Sequence, residues 1–467
     1  MDSGRKPILF VSFPEAGLIN TLLVIAGEMA RRGVEDLWFA TDDPAREEVE
    51  ALSAASEVRF ASLGAVVPEF SAKNWDDKIY RKVTQRSRFR AHRALVRHNF
   101  DLRLRIGKFR ALDALVEEVK PALMVIDSVS MHAVEVAIMR KIPFVVSLPF
   151  MPSTLFPMKL PMSFPMLHTG LPLNMNLWQR IYNFYFKSRA GLMFLHPTVY
   201  RTLRKSIPER RALKIPPETF YPSVKVDYAE LVLCFSVFGL EYEFPVPDKV
   251  KMVGAIIPPL PEAPRDEDLF GWLDANDSVV FMALGTLTRL TRKQVHAMVE
   301  VARRLEGHHQ VLWKLPREQQ KLLPPSSELP GNLRVEHWLP SQLDVLAHKN
   351  VAAFFTHAGG NSFHEGLYFG KPLIHRPLWL DNYDQSIRGV DAGVGLTLDR
   401  PDTLLVKDTF DKITRVLSDP SFRERAEHFG KVLQEEAGGL HASVDLILGC
   451  DALKRELVSQ EPSAQTN

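Results

Sequence analysis

The sequence has few of the features that mark secreted and membrane-spanning proteins. It contains only two cysteines, Cys234 and Cys450, among 467 residues. Two cysteines do not make a disulfide framework, so we expect a reducing, cytoplasmic environment. No apolar run reaches the ~20 residues of a membrane-spanning helix, and the N-terminus lacks the apolar region of a secretory signal. We therefore expect no transmembrane anchor, whereas peripheral contact with a membrane stays open.

The sequence also lacks an excess of charge of one sign. It has 58 Lys and Arg residues against 56 Asp and Glu residues, a formal net charge of +2. This balance argues against a nucleic-acid partner, which would require a concentrated basic surface. The basic residues between Arg81 and Arg93 are typical of the solvated face of a long helix.

The order of the predicted elements indicates an α/β protein with two doubly wound, Rossmann-like domains. Strands rich in Val, Ile and Leu that alternate with helices are typical of parallel sheets buried on both faces. The chain is also longer than the ~250–300 residues at which a single core stops growing. The predicted strands are 8–13, 36–41, 122–126 and 144–148 in the first half, and 278–284, 310–315, 333–338, 351–356 and 372–375 in the second.

A proline-rich segment at 241–265 separates the two halves and is predicted to be the interdomain linker. The first domain would then span 1–240 and the second 266–440, followed by a C-terminal helix and a polar tail within 441–467. Ligands of such sheets bind outside the carboxyl ends of the strands. Two facing sheets would therefore place a site in the cleft between the domains.

The segment 338–385 is the most informative part of the chain. Its apolar strand 351–356 runs into Thr-His-Ala-Gly-Gly-Asn-Ser, and a helix follows at once. The first backbone N–H groups of a helix are unpaired and the helix dipole is positive there, so this junction favours an anion. The pattern predicts a diphosphate cradle with sugar-recognising polar residues downstream.

In this segment the chain resembles the family 1 nucleotide-sugar glycosyltransferases. Their signature reads roughly W-x-P-Q, T-H-x-G-x-N-S-x-x-E, G-x-P and D-Q, in this order. The resemblance implies a GT-B type fold whose second domain binds a nucleotide sugar, UDP-linked or, as an alternative, GDP-linked. It further implies transfer of a hexose-type sugar, with inversion, to a hydrophobic small molecule, as in secondary metabolite or antibiotic biosynthesis. The last helix would pack back on the first domain.

The resemblance also assigns roles to individual donor-site residues. Trp338 would stack on the nucleobase, and Gln342 would reach the base or the ribose. His357 would donate a hydrogen bond to the diphosphate and stabilise the leaving group, and Glu365 would bind the ribose hydroxyls. The other donor-binding candidates are Gly285 and Thr286 in the turn after strand 278–284, and Gly359, Gly360, Asn361 and Ser362 at the start of the helix.

The sugar-binding end of the motif departs from the family pattern. Asp384 and Gln385 would hydrogen-bond the sugar hydroxyls, but the spacing before this pair is longer than usual. Asp381 is therefore an alternative to Asp384. Gly360 also replaces the Trp that is common in plant members, so the identity of the sugar stays open.

Structural explanations compete with several of these assignments. Trp338 could be a core aromatic at a strand end, and Ser362-x-x-Glu365 is also a formal capping box. His364-Glu365 lacks the second His of an H-E-x-x-H zinc motif. We expect no metal and no cofactor, with the nucleotide sugar as a co-substrate.

The first strand–helix turn, Phe-Pro-Glu-Ala-Gly-Leu-Ile-Asn, resembles the family's acceptor-side loop and contains Gly17 and Asn20. The family has its catalytic base, a His, where this chain has Leu18. General base catalysis is typically worth 10²–10⁴-fold. The absence of this His therefore affects the rate of transfer rather than the binding of the donor.

Three explanations of the gap stay open. Asp127, or alternatively Glu15 or His132, takes the proton; the acceptor needs little base; or the protein only binds nucleotide sugar, as the partner of another enzyme. Asp127 also suits a helix cap. A sugar-nucleotide epimerase or hydrolase on the same fold is a further alternative.

Residues 149–205, rich in Pro, Met and Phe, resemble the segment that covers an apolar acceptor in eukaryotic members. Surfaces rich in Met adapt to irregular apolar ligands, which favours a large hydrophobic acceptor. The competing interpretation is a helical hairpin buried in the core.

Overall fold

The computed structural model describes residues 7–99, 101, 103, 105–156, 159–221, 223–260 and 266–454. It contains two parallel sheets, each covered by helices, which confirms the predicted fold class. In these ranges no helix is both long enough and apolar enough to cross a bilayer. Part of the predicted linker, 261–265, and the predicted tail from 455 onward lie outside the described residues.

The sheet of the first domain is parallel throughout. Its strands are β1 (Ile8–Val11), β2 (Leu37–Thr41), β3 (Val58–Ser62), β4 (Leu123–Asp127), β5 (Phe144–Leu148), β6 (Leu231–Cys234) and β7 (Val250–Met252). Their spatial order is β3-β2-β1-β4-β5-β6-β7. β1, β4 and β5 are buried along their whole length, as expected for apolar strands covered on both faces. Because β1 pairs with β4, the residues that follow these two strands meet at the carboxyl edge of the sheet.

Helices cover both faces of this first sheet. Ile19, Leu22 and Ile25 of the first helix pack on the strands, as the apolar spacing of that helix predicts. The helices of this domain are α1 (Ala16–Arg31), α2 (Arg46–Glu50), α3 (Asp77–Val83), α4 (Arg88–Asn99), α5 (Ile106–Val119), α6 (Met131–Arg140), α7 (Leu177–Leu192), α8 (Pro197–Ala212) and α9 (Val224–Tyr228).

The second domain repeats this architecture around a smaller parallel sheet. Its strands are β8 (Val279–Ala283), β9 (Gln310–Lys314), β10 (Leu333–Glu336), β11 (Val351–Thr356), β12 (Leu373–His375) and β13 (Gly395–Thr397), in the spatial order β10-β9-β8-β11-β12-β13. Its helices are α10 (Glu267–Asp274), α11 (Arg292–Leu305), α12 (Arg317–Gln320), α13 (Gln342–Ala347), α14 (Gly360–Tyr368), α15 (Asp381–Asp391), α16 (Val406–Ser418) and α17 (Pro420–Lys431). The last helix, α18 (Gly439–Leu448), belongs to the core of the first domain.

The structure differs from the sequence-based organisation in three places. β7 lies inside the segment predicted as linker and pairs with β6, so the first sheet extends further along the chain. The basic residues between 81 and 93 lie on two helices, α3 and α4, rather than on one, and Arg86 lies between them. Finally, α7 and α8 do not form a buried hairpin, because most of their large apolar side chains are exposed.

Buried polar contacts hold the two domains together. The Arg388 guanidinium donates from Nε to Glu241 Oε1 (2.6 Å) and from Nη2 to Ser153 Oγ (3.1 Å). α18 packs on α1 of the first domain, where Arg32 Nη1 donates to Asp445 Oδ1 (2.6 Å). The chain thus crosses from the first domain to the second and returns at its C-terminal helix.

Candidate active site

His357 lies between two glycines at the carboxyl ends of β8 and β11. A Cβ atom at Gly285 would lie 2.5 Å from His357 Cε1, and one at Gly359 would overlap His357 Nε2. Gly285 also has a φ of +70°, which favours glycine. The two glycines therefore provide the space for the imidazole ring, while Thr286 in the same turn is exposed.

The electrostatic environment keeps His357 neutral. Burial and the nearby Arg376 guanidinium lower the pKa of His357 to about 4. Nδ1 of the ring is buried and has no hydrogen-bond partner among the described residues. A neutral imidazole can donate one hydrogen bond, and it adds no charge to the site.

Helix α14 begins at Gly360, with Gly359 as its N-cap, so the predicted capping box at Ser362 and Glu365 is wrong. Ser362 lies inside the first turn together with Asn361. A Cβ atom at Gly360 would overlap the Pro149 carbonyl oxygen that follows β5. The start of α14 therefore faces the first domain, and a bulky side chain at 360 does not fit this arrangement.

Gln342, Ser362 and Glu365 form one polar cluster. Gln342 Nε2 donates to Glu365 Oε2 (2.6 Å) and to Ser362 Oγ (3.2 Å). Burial raises the pKa of Glu365. Trp338 beyond β10 is 60% exposed, so it is not a core aromatic. Its ring is free to stack on a planar ligand.

The two candidate carboxylates at the sugar end differ in what they contact. Asp384 accepts hydrogen bonds from the backbone N–H groups of His168 (2.5 Å) and Gly170 (2.7 Å) of the first domain. Asp381 is the first residue of α15 and is partly exposed. Burial and the charge of Asp384 raise the pKa of Asp381 to about 7. Gln385 is buried, with Nε2 unpartnered in the described chain.

Sequence reasoning did not identify Arg376, which follows β12 directly. Its side chain is 3% exposed, and Nε and Nη1 have no hydrogen-bond partner in the part of the chain that the structure describes. The guanidinium is close enough to lower the pKa of His357. The signal was a lone charged residue between a buried strand and Pro377, at the edge where ligands of parallel sheets bind.

Asp127 ties together the first-domain elements at the same cleft. One oxygen, Oδ2, accepts from Phe13 N (2.9 Å) and Ser130 Oγ (2.6 Å), and Oδ1 accepts from Val129 N (2.7 Å) and Ser130 N (2.9 Å). The carboxylate is fully buried. Four donors occupy its lone pairs, so Asp127 fixes the turn after β1 and the start of α6.

The other base candidates differ in access. Glu15 is partly exposed, accepts a hydrogen bond from Ser71 Oγ (2.6 Å) and lines a cavity of about 10 Å³. His132 is 1% exposed, and burial followed by the nearby Arg105 and Lys108 charges lowers its pKa to about 3. Of these two residues, only Glu15 faces the cavity.

The acceptor-side loop and its surroundings are closely packed. Leu18 is buried in α1, whereas Gly17 and Asn20 are exposed. Aromatic rings continue from the loop to the second domain: Phe13 contacts Phe70, Phe70 contacts His98, His98 contacts Trp75, and Trp75 contacts Trp379. A cavity of about 10 Å³ holds about one water. A ligand larger than water can enter this cavity only if these side chains move.

Comparison with known proteins gives the same assignment as the motif. The family model described as UDP-glucoronosyl and UDP-glucosyl transferase matches residues 52–436. The human 2-hydroxyacylsphingosine 1-beta-galactosyltransferase is 30% identical over 283 residues, covering 59% of this chain and 48% of that protein. UDP-glucosyltransferase 2 of Dactylopius coccus is 27% identical over 286 residues, covering 59% and 51%. The chain spans about half the length of the curated relatives it matches.

Two solved structures share the fold over almost the whole chain. The glycotransferase of kitacinnamycin has a TM-score of 0.70 at 20% identity and covers 97% of this chain and 99% of its own. The calicheamicin glycosyltransferase CalG4 has a TM-score of 0.64 at 18% identity, covering 98% and 100%. The match of the family model over most of the chain shows that this protein belongs to the UDP-glucoronosyl and UDP-glucosyl transferase family.

Proposed function

We propose that this chain transfers a hexose-type sugar from a UDP-sugar to a hydrophobic small molecule. The observation that carries the proposal is His357, held between Gly285 and Gly359 at the start of α14 with an unpartnered Nδ1. A helix N-terminus beside a polar ring suits a diphosphate. The exposed Trp338 supplies a stacking surface for the uracil.

The sugar hydroxyls are assigned to Asp381 rather than to Asp384. The Asp384 carboxylate already accepts two backbone hydrogen bonds from the first domain, whereas Asp381 begins α15 and is partly exposed. The ribose hydroxyls are assigned to Glu365, which is also partly exposed. Gln342 donates a hydrogen bond to its carboxylate and holds it in place.

Arg376 is assigned to the charge of the diphosphate. His357 is neutral at pH 7, so it cannot offset the negative charge that develops on the leaving group. Burial lowers the pKa of the Arg376 guanidinium despite the attraction of Asp402, and an oxyanion bound beside it would offset the cost of that burial. Arginine also matches the geometry of phosphate oxygens.

Glu15 is the proposed general base, in place of the family histidine. A base has to reach the acceptor hydroxyl. The Asp127 carboxylate is buried under four donors, and His132 is a weak base because burial lowers its pKa. Glu15 lines the cavity at the carboxyl edge of the first sheet and has one hydrogen bond, from Ser71.

The reaction is then a single displacement at the anomeric carbon. Glu15 takes the proton of the acceptor hydroxyl, whose oxygen forms a bond to the anomeric carbon with inversion. The bond from that carbon to the diphosphate oxygen breaks, and its electron pair stays on UDP beside His357 and Arg376. The proposal requires no metal or other cofactor.

The acceptor class is proposed from two features. The side chains around the entrance, from Phe13 to Trp379, are aromatic. The human relative is named for a 2-hydroxyacylsphingosine substrate. We therefore propose a hydrophobic, small-molecule acceptor, as in natural-product tailoring.

The proposal is tested by incubating the purified chain with UDP-glucose, UDP-galactose or UDP-glucuronate and a panel of hydrophobic alcohols and phenols. Mass spectrometry should detect a glycosylated product together with UDP, and His357→Ala should form neither. UDP-sugar binding without product from any acceptor would favour a binding protein, the role that Leu18 supports. Consumption of UDP-sugar without an acceptor would instead indicate an epimerase or hydrolase.

A further inference from the structure

Helices α7 and α8 form an apolar surface that the proposed chemistry does not use. Eleven of the eighteen large apolar side chains that are exposed in the described chain lie between 177 and 207. Trp178 is 77% exposed and Leu195, between the helices, is 74% exposed. We call residues 177–212 the α7–α8 face. Contiguous exposed apolar surface of this kind marks an interaction site.

The packing of α7 explains why this surface faces outward. Its buried residues are Asn183, Phe186 and Ala190, spaced three and four apart along one narrow stripe. Phe186 packs edge-on against Phe89 of α4 (5.4 Å between ring centroids). This stripe secures the helix, so the remaining apolar residues are not needed for the core.

The charge of the α7–α8 face is as unusual as its hydrophobicity. The 36 residues from 177 to 212 include eight Lys and Arg residues and one acid, Glu209, a net charge of +7. Arg210 among them is buried and paired with Glu135, so the outward-facing residues carry +6. Because the whole chain carries only +2, the remaining residues sum to −5. Basic side chains such as Arg180, Arg201 and Lys205 are exposed among the apolar ones.

We propose that the α7–α8 face docks on the surface of an anionic lipid bilayer. A helix with exposed Trp, Phe and Leu and many basic residues lies in the membrane interface, with its apolar side among the acyl chains. Trp and Tyr favour the headgroup level, and Lys and Arg are attracted to anionic headgroups. A second copy of this chain fits less well, because a symmetric dimer would bring two strongly basic surfaces together.

The docking surface is connected to the cleft by a single loop. Asn183, on the buried side of α7, accepts a hydrogen bond from Met166 N (2.7 Å) and donates to Phe164 O (3.0 Å). The same loop donates from Gly170 N to Asp384 of the second domain. If the proposed transfer is correct, a membrane-dissolved acceptor would reach the cleft from the bilayer.

Docking is tested by sedimenting the full chain with vesicles of phosphatidylcholine, with and without phosphatidylserine. We expect binding that increases with phosphatidylserine and decreases as salt is added, since the attraction is screened. The double variant Trp178→Ser, Leu195→Ser should bind at least about 10-fold less. Arg201→Glu with Lys205→Glu should weaken binding only to the phosphatidylserine vesicles. Leu405→Ser, an exposed apolar residue of the second domain, is the matched control.

Equal binding by the double variant and the wild type, or binding to neither vesicle, would overturn the proposal. So would a wild-type dimer that becomes monomeric in the double variant, since a second copy would then cover the surface. UDP affinity, measured separately, distinguishes this proposal from the proposed function. If the chain binds vesicles but does not bind UDP, the docking proposal stands and only the proposed transferase activity is contradicted.

Discussion

The donor side and the acceptor side of the cleft contrast in how they are built. On the donor side, buried polar atoms lack hydrogen-bond partners in the described chain: Nδ1 of His357 and Nε and Nη1 of Arg376. On the acceptor side, the Asp127 carboxylate is saturated by four donors, and Phe13, whose N–H is one of them, packs its ring on Phe70. The donor side is prepared for a ligand, whereas the acceptor side has to rearrange to admit one.

This contrast indicates how substrates would bind. The donor cradle needs little reorganisation, because its glycines and its imidazole are already in place. An acceptor has to displace Phe13, Phe70 and their neighbours, and this costs the contacts that these side chains make. A large apolar molecule replaces those contacts most effectively. Binding energy from an apolar acceptor would thus be used to open the site.

The largest effect is expected for Glu15→Gln. If Glu15 is the base, kcat should fall by about 10²–10⁴-fold while UDP affinity stays within about twofold. Product formation by mass spectrometry and UDP titration by calorimetry measure the two quantities. Asp127→Asn is the comparison, because it places an amide N–H against backbone donors. It should lower stability by about 1–3 kcal/mol, seen in a urea midpoint. Unchanged turnover in Glu15→Gln would remove Glu15 from the mechanism.

The second prediction concerns the space that Gly359 leaves for the His357 ring. Gly359→Ala places a methyl group where the His357 ring lies, without a change in backbone preference, since φ at 359 is −69°. UDP affinity should fall by about 10–100-fold, the loss of one charge-assisted hydrogen bond. Gly271→Ala in α10 is the control, because a Cβ there has nothing within 4 Å. Equal affinity in both variants would show that His357 does not bind the diphosphate.

A third prediction concerns Arg376→Met, which removes the guanidinium and keeps much of the side-chain volume. UDP affinity should fall about 10-fold, while the unliganded protein should become more stable by about 1 kcal/mol, because a buried charge that forms no ion pair with the described residues is gone. Calorimetry and urea unfolding measure the two changes. A loss of stability without a loss of affinity would make Arg376 a structural residue.

The sequence predicted more about the donor side of the cleft than about the acceptor side. The candidate donor-binding residues could be proposed from the sequence because all but Gly285 and Thr286 lie in one segment, 338–385, where a strand runs directly into a helix. The doubly wound sheets followed from apolar strands such as 351–356. Four strands of three to five residues, β3, β6, β7 and β13, were not predicted, although β6 is apolar along its whole length.

Long-range contacts account for most of what the sequence did not show. The capping box at Ser362 failed because the N-cap of α14 is Gly359, three residues before Ser362. The hydrogen-bond donors to Asp384, His168 and Gly170, lie more than 200 residues away in the sequence. The residues around Asp384 could therefore not show that its carboxylate is already hydrogen-bonded. The exposure of α7 depended in the same way on which of its faces packs on α4.

The smallest expected effect concerns acid stability on the acceptor side. Burial lowers the pKa of His132 from its usual 6.5 to about 3 in the folded protein. The unfolded chain therefore binds an extra proton below pH 6.5, so stability falls as pH decreases from 7 to 5. His132→Leu should remove about 1–2 kcal/mol of that decrease in urea unfolding. His296→Gln, an exposed histidine on α11, is the control. Equal pH dependence in both variants would mean that His132 is solvated.

Calorimetric titration of UDP into the wild type and into His357→Ala decides whether a UDP site is built around His357. We expect a one-to-one complex with the wild type, and at least about 10-fold weaker binding to the variant with unchanged unfolding. Equal affinity in the two proteins, or no binding to either, would contradict a UDP-sugar site built around His357.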